Sequence, residues 1–190
     1  MNLQFSPFPI LETERTLLRR IRPEDAPEVF EMRSDPDVMR YIPRPIAVSL
    51  NDAMALIEMV NDFIDKNEKI NWAIEWKASG RLIGMIGFVN LKPDHCRAEV
   101  GYSLTKAYHR QGIMREALLR VLKHGFEKFN LHTIEAIIDA ENDASGKLLE
   151  SVGFRREGYF REDFLFNGHY RNSIHFGMLR SEAIATNICM

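Results

Sequence analysis

Cysteine is scarce in this chain. Only two occur in 190 residues, Cys96 and Cys189. They lie far apart and give neither a disulfide framework nor a metal-ligand spacing. They read as small buried or terminal thiols, and a reducing, cytoplasmic home follows as the expectation. Long apolar runs are also missing. No stretch approaches the ~20 residues that would span a bilayer. The start, "MNLQFSPFPILETER", lacks a basic segment followed by a long apolar one, so no signal peptide is expected. Charge of one sign is lacking too: the formal net charge is −2. Bulk basicity therefore gives no reason to expect nucleic acid or membrane as a partner. The six histidines are scattered without metal spacing, and no metal is expected. Internal repeats, low-complexity tracts and domain linkers are absent.

What is present is an ordinary globular composition, 45% hydrophobic and 27% charged, on a length that suits one domain with a real core. Residues 1–180 read as that domain and 181–190 as a frayed or weakly packed tail. "TLLRRI" reads as a strand, and Pro23, Glu24 and Asp25 open a helix running to about Ser34. "DPDVMRYIPRP" is an irregular connection with room for one helical turn. Ser49 and Asp52 form a capping-box pair ahead of an apolar stripe at Ala53, Leu56, Ile57, Val60, Phe63 and Ile64. Three strands on short turns follow, over about Ile70–Lys77, Arg81–Leu91 and Cys96–Leu104, as an antiparallel meander. A helix from Ile113, the strand "HTIEAIID" and a short helix ending at Gly153 come next. Two long strands joined at Asn167-Gly168 close the chain as a hairpin. The order predicts an α/β fold on a mixed, mostly antiparallel twisted sheet. The crossover through the Ile113 helix makes the strands it joins parallel or divergent.

The entry to that helix, "AYHRQGIMREAL", carries no Ser, Thr or Asp at the usual capping place. A helix N-terminus offers unpaired N–H groups and about half a positive charge. His109 and Arg110 add side-chain donors, and Gly112 lets backbone approach a ligand without a Cβ between them. That makes a phosphate cradle, although a plain loop with one glycine has the same letters.

Read together, "LETERTLLRRIRPEDA", "AEVGYSL", "YHRQGIMREAL" and "ENDASGKLLESVGFRREG" resemble the GNAT superfamily of acyl-CoA-dependent acetyltransferases. Within it they are similar to the RimJ/RimL-like branch, over nearly the whole chain. The superfamily loop, Gln/Arg-x-x-Gly-x-Gly/Ala, reads here His109-Arg110-Gln111-Gly112-Ile113-Met114, with the central glycine kept and Met114 in place of a small residue. The resemblance implies about seven strands, helices on both faces and a parallel central pair splayed for coenzyme A. It implies that backbone N–H groups of Gln111, Gly112, Ile113, Met114 and Arg115 hold the pyrophosphate. Tyr102, Ser103 and Leu104 would bond the pantetheine amides, and Asn142 would contact the pantetheine arm. A plain helix cap is the other reading of Asn142.

The implied reaction is direct transfer of acetyl from acetyl-CoA to a primary amine, such as a protein N-terminus, by a monomer or homodimer. The alternatives are a small-molecule amine or antibiotic as acceptor, or a non-catalytic acyl-CoA-binding domain. Many superfamily members protonate the leaving thiolate with a Tyr seven residues after the Asn. Here that position is Leu149. The branch pattern offers Ser145, three residues after the Asn. For the base, Glu99, Glu162, Asp163 and Glu135 are candidates beside a water relay. Strand alternation sends Glu162 and Asp163 to opposite faces.

Overall fold

The computed structural model describes residues 3–189. Met1, Asn2 and Met190, the extremes of the predicted domain and tail, lie outside the described residues. One eight-stranded sheet organises the chain, in the order β1-β2-β3-β4-β5-β6-β8-β7. The strands are β1 Leu11–Glu12, β2 Thr16–Arg19, β3 Ile70–Trp76, β4 Arg81–Lys92, β5 Arg97–Leu104, β6 Thr133–Asp139, β7 Arg155–Phe166 and β8 His169–Leu179. Among the described residues every pairing is antiparallel except β5 with β6. The strand beyond the seven anticipated is β1, whose two residues carry no periodicity to read.

The helices are α1 Ala26–Ser34, α2 Pro36–Met39, α3 Leu50–Asp65, α4 Ile113–Glu127, α5 Asp143–Ser151 and α6 Arg180–Ala185. Asp52 caps α3 by accepting from the Val48 and Ser49 N–H groups. Helices α1 and α3 lie on one face of the sheet, where the Ser103 hydroxyl meets the Met32 sulfur at 3.4 Å. Helices α4 and α5 cover the other. On that face a Cβ added to Gly125 would stand 2.6 Å from Phe88 and 3.2 Å from Ile134. Glycine at 125 is thus what lets α4 reach the sheet.

The predicted tail is folded over residues 181–189. It forms most of α6, with Ala183 fully buried and Cys189 buried beyond it. The Leu179 N–H donates to Glu182 at 2.9 Å, and Arg180 donates to the Leu131 carbonyl at 3.0 Å. Six residues are too few for a visible apolar stripe, and a small alanine does the packing.

His124 sits on α4 with its ring edge-on to Trp72 and Phe129, and its Nε2 has no hydrogen-bond partner. Burial pushes its pKa down to about 4, and the Arg120 and Lys128 charges act in the same direction while Glu127 opposes them. In the unfolded chain it takes up a proton near pH 6.5. The stability this neutral ring contributes is therefore complete above pH 6.5 and is lost as pH falls from there toward 4. We expect the thermal midpoint to drop by about 3 °C between pH 7 and 5.5 on this account. Most of that slope should vanish in His124→Phe, as calorimetry at stepped pH will show.

Candidate active site

The site begins where β5 and β6 part. They pair only through Arg97–Thr133, Ala98–Ile134 and Glu99–Glu135. From Val100 onward, β5 keeps its β4 neighbour and has none on the β6 side. A register shift in β4 lies at the same level, with Phe88 opposite Val100 and Asn90 opposite Glu99. A bulge of this kind bends the strand. Tyr102, Ser103 and Leu104 consequently border a gap in mid-sheet, with backbone groups that lack a strand partner there.

The chain leaves β5 through a short turn, in which Tyr108 and His109 N–H groups donate to the Thr105 and Lys106 carbonyls. Arg110 (φ +58°) and Gly112 (φ +76°) are left-handed and flank Gln111. Alternation of this type curls successive N–H groups into an anion-binding concavity. Helix α4 closes its first turn when the Glu116 N–H donates to the Gly112 carbonyl at 3.1 Å. The amides ahead of Glu116, including those of Ile113, Met114 and Arg115, have no intrahelical acceptor. The Ile113 and Met114 side chains are buried in the core, so Met114 does not stand between the loop and a ligand. Arg110 and Arg115 are exposed.

His109 does something other than reach for an anion. Its Nε2 lies 2.8 Å from the Leu104 carbonyl. A carbonyl only accepts, so Nε2 carries the proton and the ring pins the loop back onto the end of β5. Arg15, from the β1–β2 turn, braces the loop from outside. It donates to the Gln111 carbonyl at 3.0 Å and to Glu116 at 2.8 Å, and Glu116 also accepts from the Arg15 N–H. No sequence signal marked Arg15, because its partners lie about a hundred positions away. Arg15→Ala should weaken coenzyme A binding about tenfold by freeing the loop and baring the Glu116 charge. Titration calorimetry against the wild type measures this.

On the α4/α5 face, Asn142 caps α5 by accepting from the Ser145 N–H at 3.1 Å, which leaves its NH2 for a ligand. Ser145 is buried in the first turn of α5. Its hydroxyl lies 2.6 Å from the Tyr102 hydroxyl. Tyr102 comes from the splayed end of β5, and burial pushes its phenol up to about 12 against the opposing bond from Ser145. Leu149 is fully buried in the core.

Glu99 lies three residues before Tyr102 and so on the opposite face of β5. Burial raises its carboxyl above the ordinary value. The Glu135 charge adds to the rise, while a bond from Asn90 and the charges of Lys92 and His175 oppose it. Glu135 is buried and paired with Arg97 and, at 3.5 Å, with Lys92. Glu162 is not brought to this group. It sits exposed at φ +52° in a second bulge, between Phe160 and Phe164. That bulge breaks the alternation anticipated for β7, and Asp163 turns in to accept from Ser173 at 2.6 Å.

An acetyltransferase (GNAT) domain family matches residues 15–155. The chain belongs to the GNAT acetyltransferases. An uncharacterized N-acetyltransferase of Bacillus subtilis, YoaA, is 36% identical over 161 residues, covering 85% of this chain and 91% of its own. The spermidine N-acetyltransferase of Vibrio cholerae, solved with CoA and spermine, superposes with a TM-score of 0.79 at 25% identity, covering 90% of this chain and 98% of that one. A ribosomal-protein-S5-alanine acetyltransferase of Vibrio fischeri shares the fold at a TM-score of 0.80 and 23% identity, over 92% and 98%. The GNAT enzyme described here uses acetyl-CoA as its cosubstrate. Its residues suit that ligand, with uncapped amides at a left-handed glycine for a diphosphate and an open strand edge for an amide-bearing arm. Among the described residues no group of His, Cys, Asp or Glu is placed to hold a metal, and no helix is long and apolar enough to cross a membrane.

Proposed function

We propose that this acetyltransferase passes acetyl directly to a primary amine, with the two substrates meeting through the gap between β5 and β6. The placement of Glu99 and Ser145 on opposite faces at that gap carries the reading. The loop from Gln111 to Arg115 takes the diphosphate on the α4 side, and the pantetheine arm lies along Tyr102 to Leu104 beside Asn142. The amine enters from the other face. Glu99 takes its proton, because a half-buried carboxylate with raised affinity for protons is suited to act as base. Ser145, on the arm's side, gives a proton to the departing sulfur.

The acceptor is a protein N-terminal amine in the reading that the RimJ/RimL-like resemblance favours. A polyamine is the reading that the spermidine enzyme favours. Ile137 and Phe160 are exposed on the Glu99 face, and an acceptor with an aliphatic body would cover them. Both cysteine thiols are free, in keeping with a cytoplasmic setting. The test is an acetylation screen of peptides beginning Ala, Ser and Met against spermidine, spermine, aminoglycosides and free amino acids. Thermal shift with CoA serves as the binding control, expected near 2.7 kcal/mol at a hundred times the dissociation constant. CoA stabilisation without turnover of any amine would leave an acyl-CoA-binding domain and overturn the catalytic reading.

A further inference from the structure

Serine is a weak proton donor on its own. Here Ser145 is not on its own, since its hydroxyl lies 2.6 Å from the half-buried phenol of Tyr102. The two groups come from elements on either side of the gap: Tyr102 from the end of β5 past its last pairing with β6, and Ser145 from the first turn of α5. The Ser145 N–H is held by Asn142, which fixes the turn. One proton can lie between the two oxygens, leaving the other hydroxyl proton free to point elsewhere.

We propose that Tyr102 acts through Ser145 as the phenol that this chain lacks at position 149, donating its O–H to Ser145 Oγ and thereby directing the serine proton to the leaving sulfur. The proposal rests on the reading of Ser145 as the group that meets sulfur. When the carbon–sulfur bond breaks, its electron pair goes to sulfur. Sulfur takes the Ser145 proton, and Ser145 Oγ takes the Tyr102 proton in the same motion. Solvent then returns a proton to the phenolate, while the proton taken from the amine leaves by way of Glu99. Charge and atoms balance without a further reactant. A phenolate, even one made less stable by burial, is a far better place for the negative charge than a serine alkoxide. The burial that raises the phenol's pKa also keeps it protonated and ready to donate at every working pH. Tyr102 is thus a positioning residue, and its hydroxyl matters only in company with Ser145.

Two measurements test this. The first needs no acceptor: titrate the thiol of bound CoA by its ultraviolet absorbance in the wild type, Tyr102→Phe, Ser145→Ala and the double variant. A hydrogen bond to the thiolate lowers the thiol's pKa. The relay predicts that both single variants raise it by the same amount and that the double variant adds nothing. The second is steady-state acetylation of whichever screened amine is turned over. There kcat should fall about 100-fold or more in each single variant, with no further loss in the pair and with KM for acetyl-CoA unchanged. If Ser145→Ala moves neither readout, the reading of Ser145 fails and takes the relay with it. If Ser145→Ala moves them and Tyr102→Phe does not, Ser145 stands and the relay is overturned. Additive losses would overturn it too. So would a Tyr102→Phe variant that loses CoA affinity or thermal stability in step with its activity, which marks a packing role.

Discussion

Glu99→Gln should lower kcat for acetyl transfer by about 100- to 10,000-fold, the range over which a positioned base contributes. CoA affinity should stay near the wild-type value, because Glu99 lies on the face of β5 opposite the Tyr102–Ser145 pair. The pH profile separates this from simple damage. A base must be ionised to work, and burial holds the Glu99 carboxyl above the ordinary carboxylate value. The wild-type kcat/KM should therefore rise with pH through a limb that sits above 4.5. In Glu99→Gln the small residual rate should be flat across that limb. Retention of the limb at reduced amplitude would hand the base to Glu135 or to water.

Gly112→Val should cost at least tenfold in CoA affinity in a chain that still folds. Nothing in the protein crowds the position, since a Cβ there would come no nearer than 3.7 Å to Arg15. The cost has two other sources. At φ +76° a β-branched residue is strained by about 1–2 kcal/mol, and its methyl groups stand where the diphosphate approaches. Gly112→Asn separates the two, because asparagine tolerates a left-handed backbone and still adds a Cβ. Loss of affinity in both variants locates the ligand at the loop. Loss in valine alone makes loop shape the cause. Full affinity in both moves the diphosphate elsewhere. Isothermal titration with CoA reads all three outcomes.

The sequence revealed those parts of the site that depend on local rules. A left-handed glycine before an apolar helix, an Asn-Gly hairpin and a strand-helix-strand crossover each announce themselves within a few residues. The crossover alone required β5 and β6 to be parallel or divergent, and the structure has them doing both in turn. What stayed hidden depends on long-range pairing. Tyr102 was legible as a strand end, but not as a partner of Ser145, since nothing local connects positions 43 apart. Arg15 reads as one charge among several in "ETERTLLRR" until the fold lays it against Gln111. His109 looked like an anion donor because its neighbours did, and only the turn at Lys106–Tyr108 swings its ring back to Leu104. Along β7, alternation failed because residues 161–163 have no register partner on β8. A bulge leaves no compositional mark in a run of charged residues.

The sheet is really two rafts, β1 to β5 and β6 to β8, lashed together by three residue pairs. Below the lashing the seam is closed by protein, and above it by whatever lies in the gap. A ligand arm lining this gap, as proposed, would stand in for a ninth strand as long as it stayed, and its departure would unzip the upper seam. Those amide protons of β5 beyond Val100 that face the gap should thus exchange slowly with CoA present and quickly without it, while those bonded to β4 and those at Arg97–Glu99 stay protected throughout. On the proposed placement of the arm, the acceptor amine would then meet a finished wall only after the cosubstrate has docked, an order of binding that the strand pairing would impose.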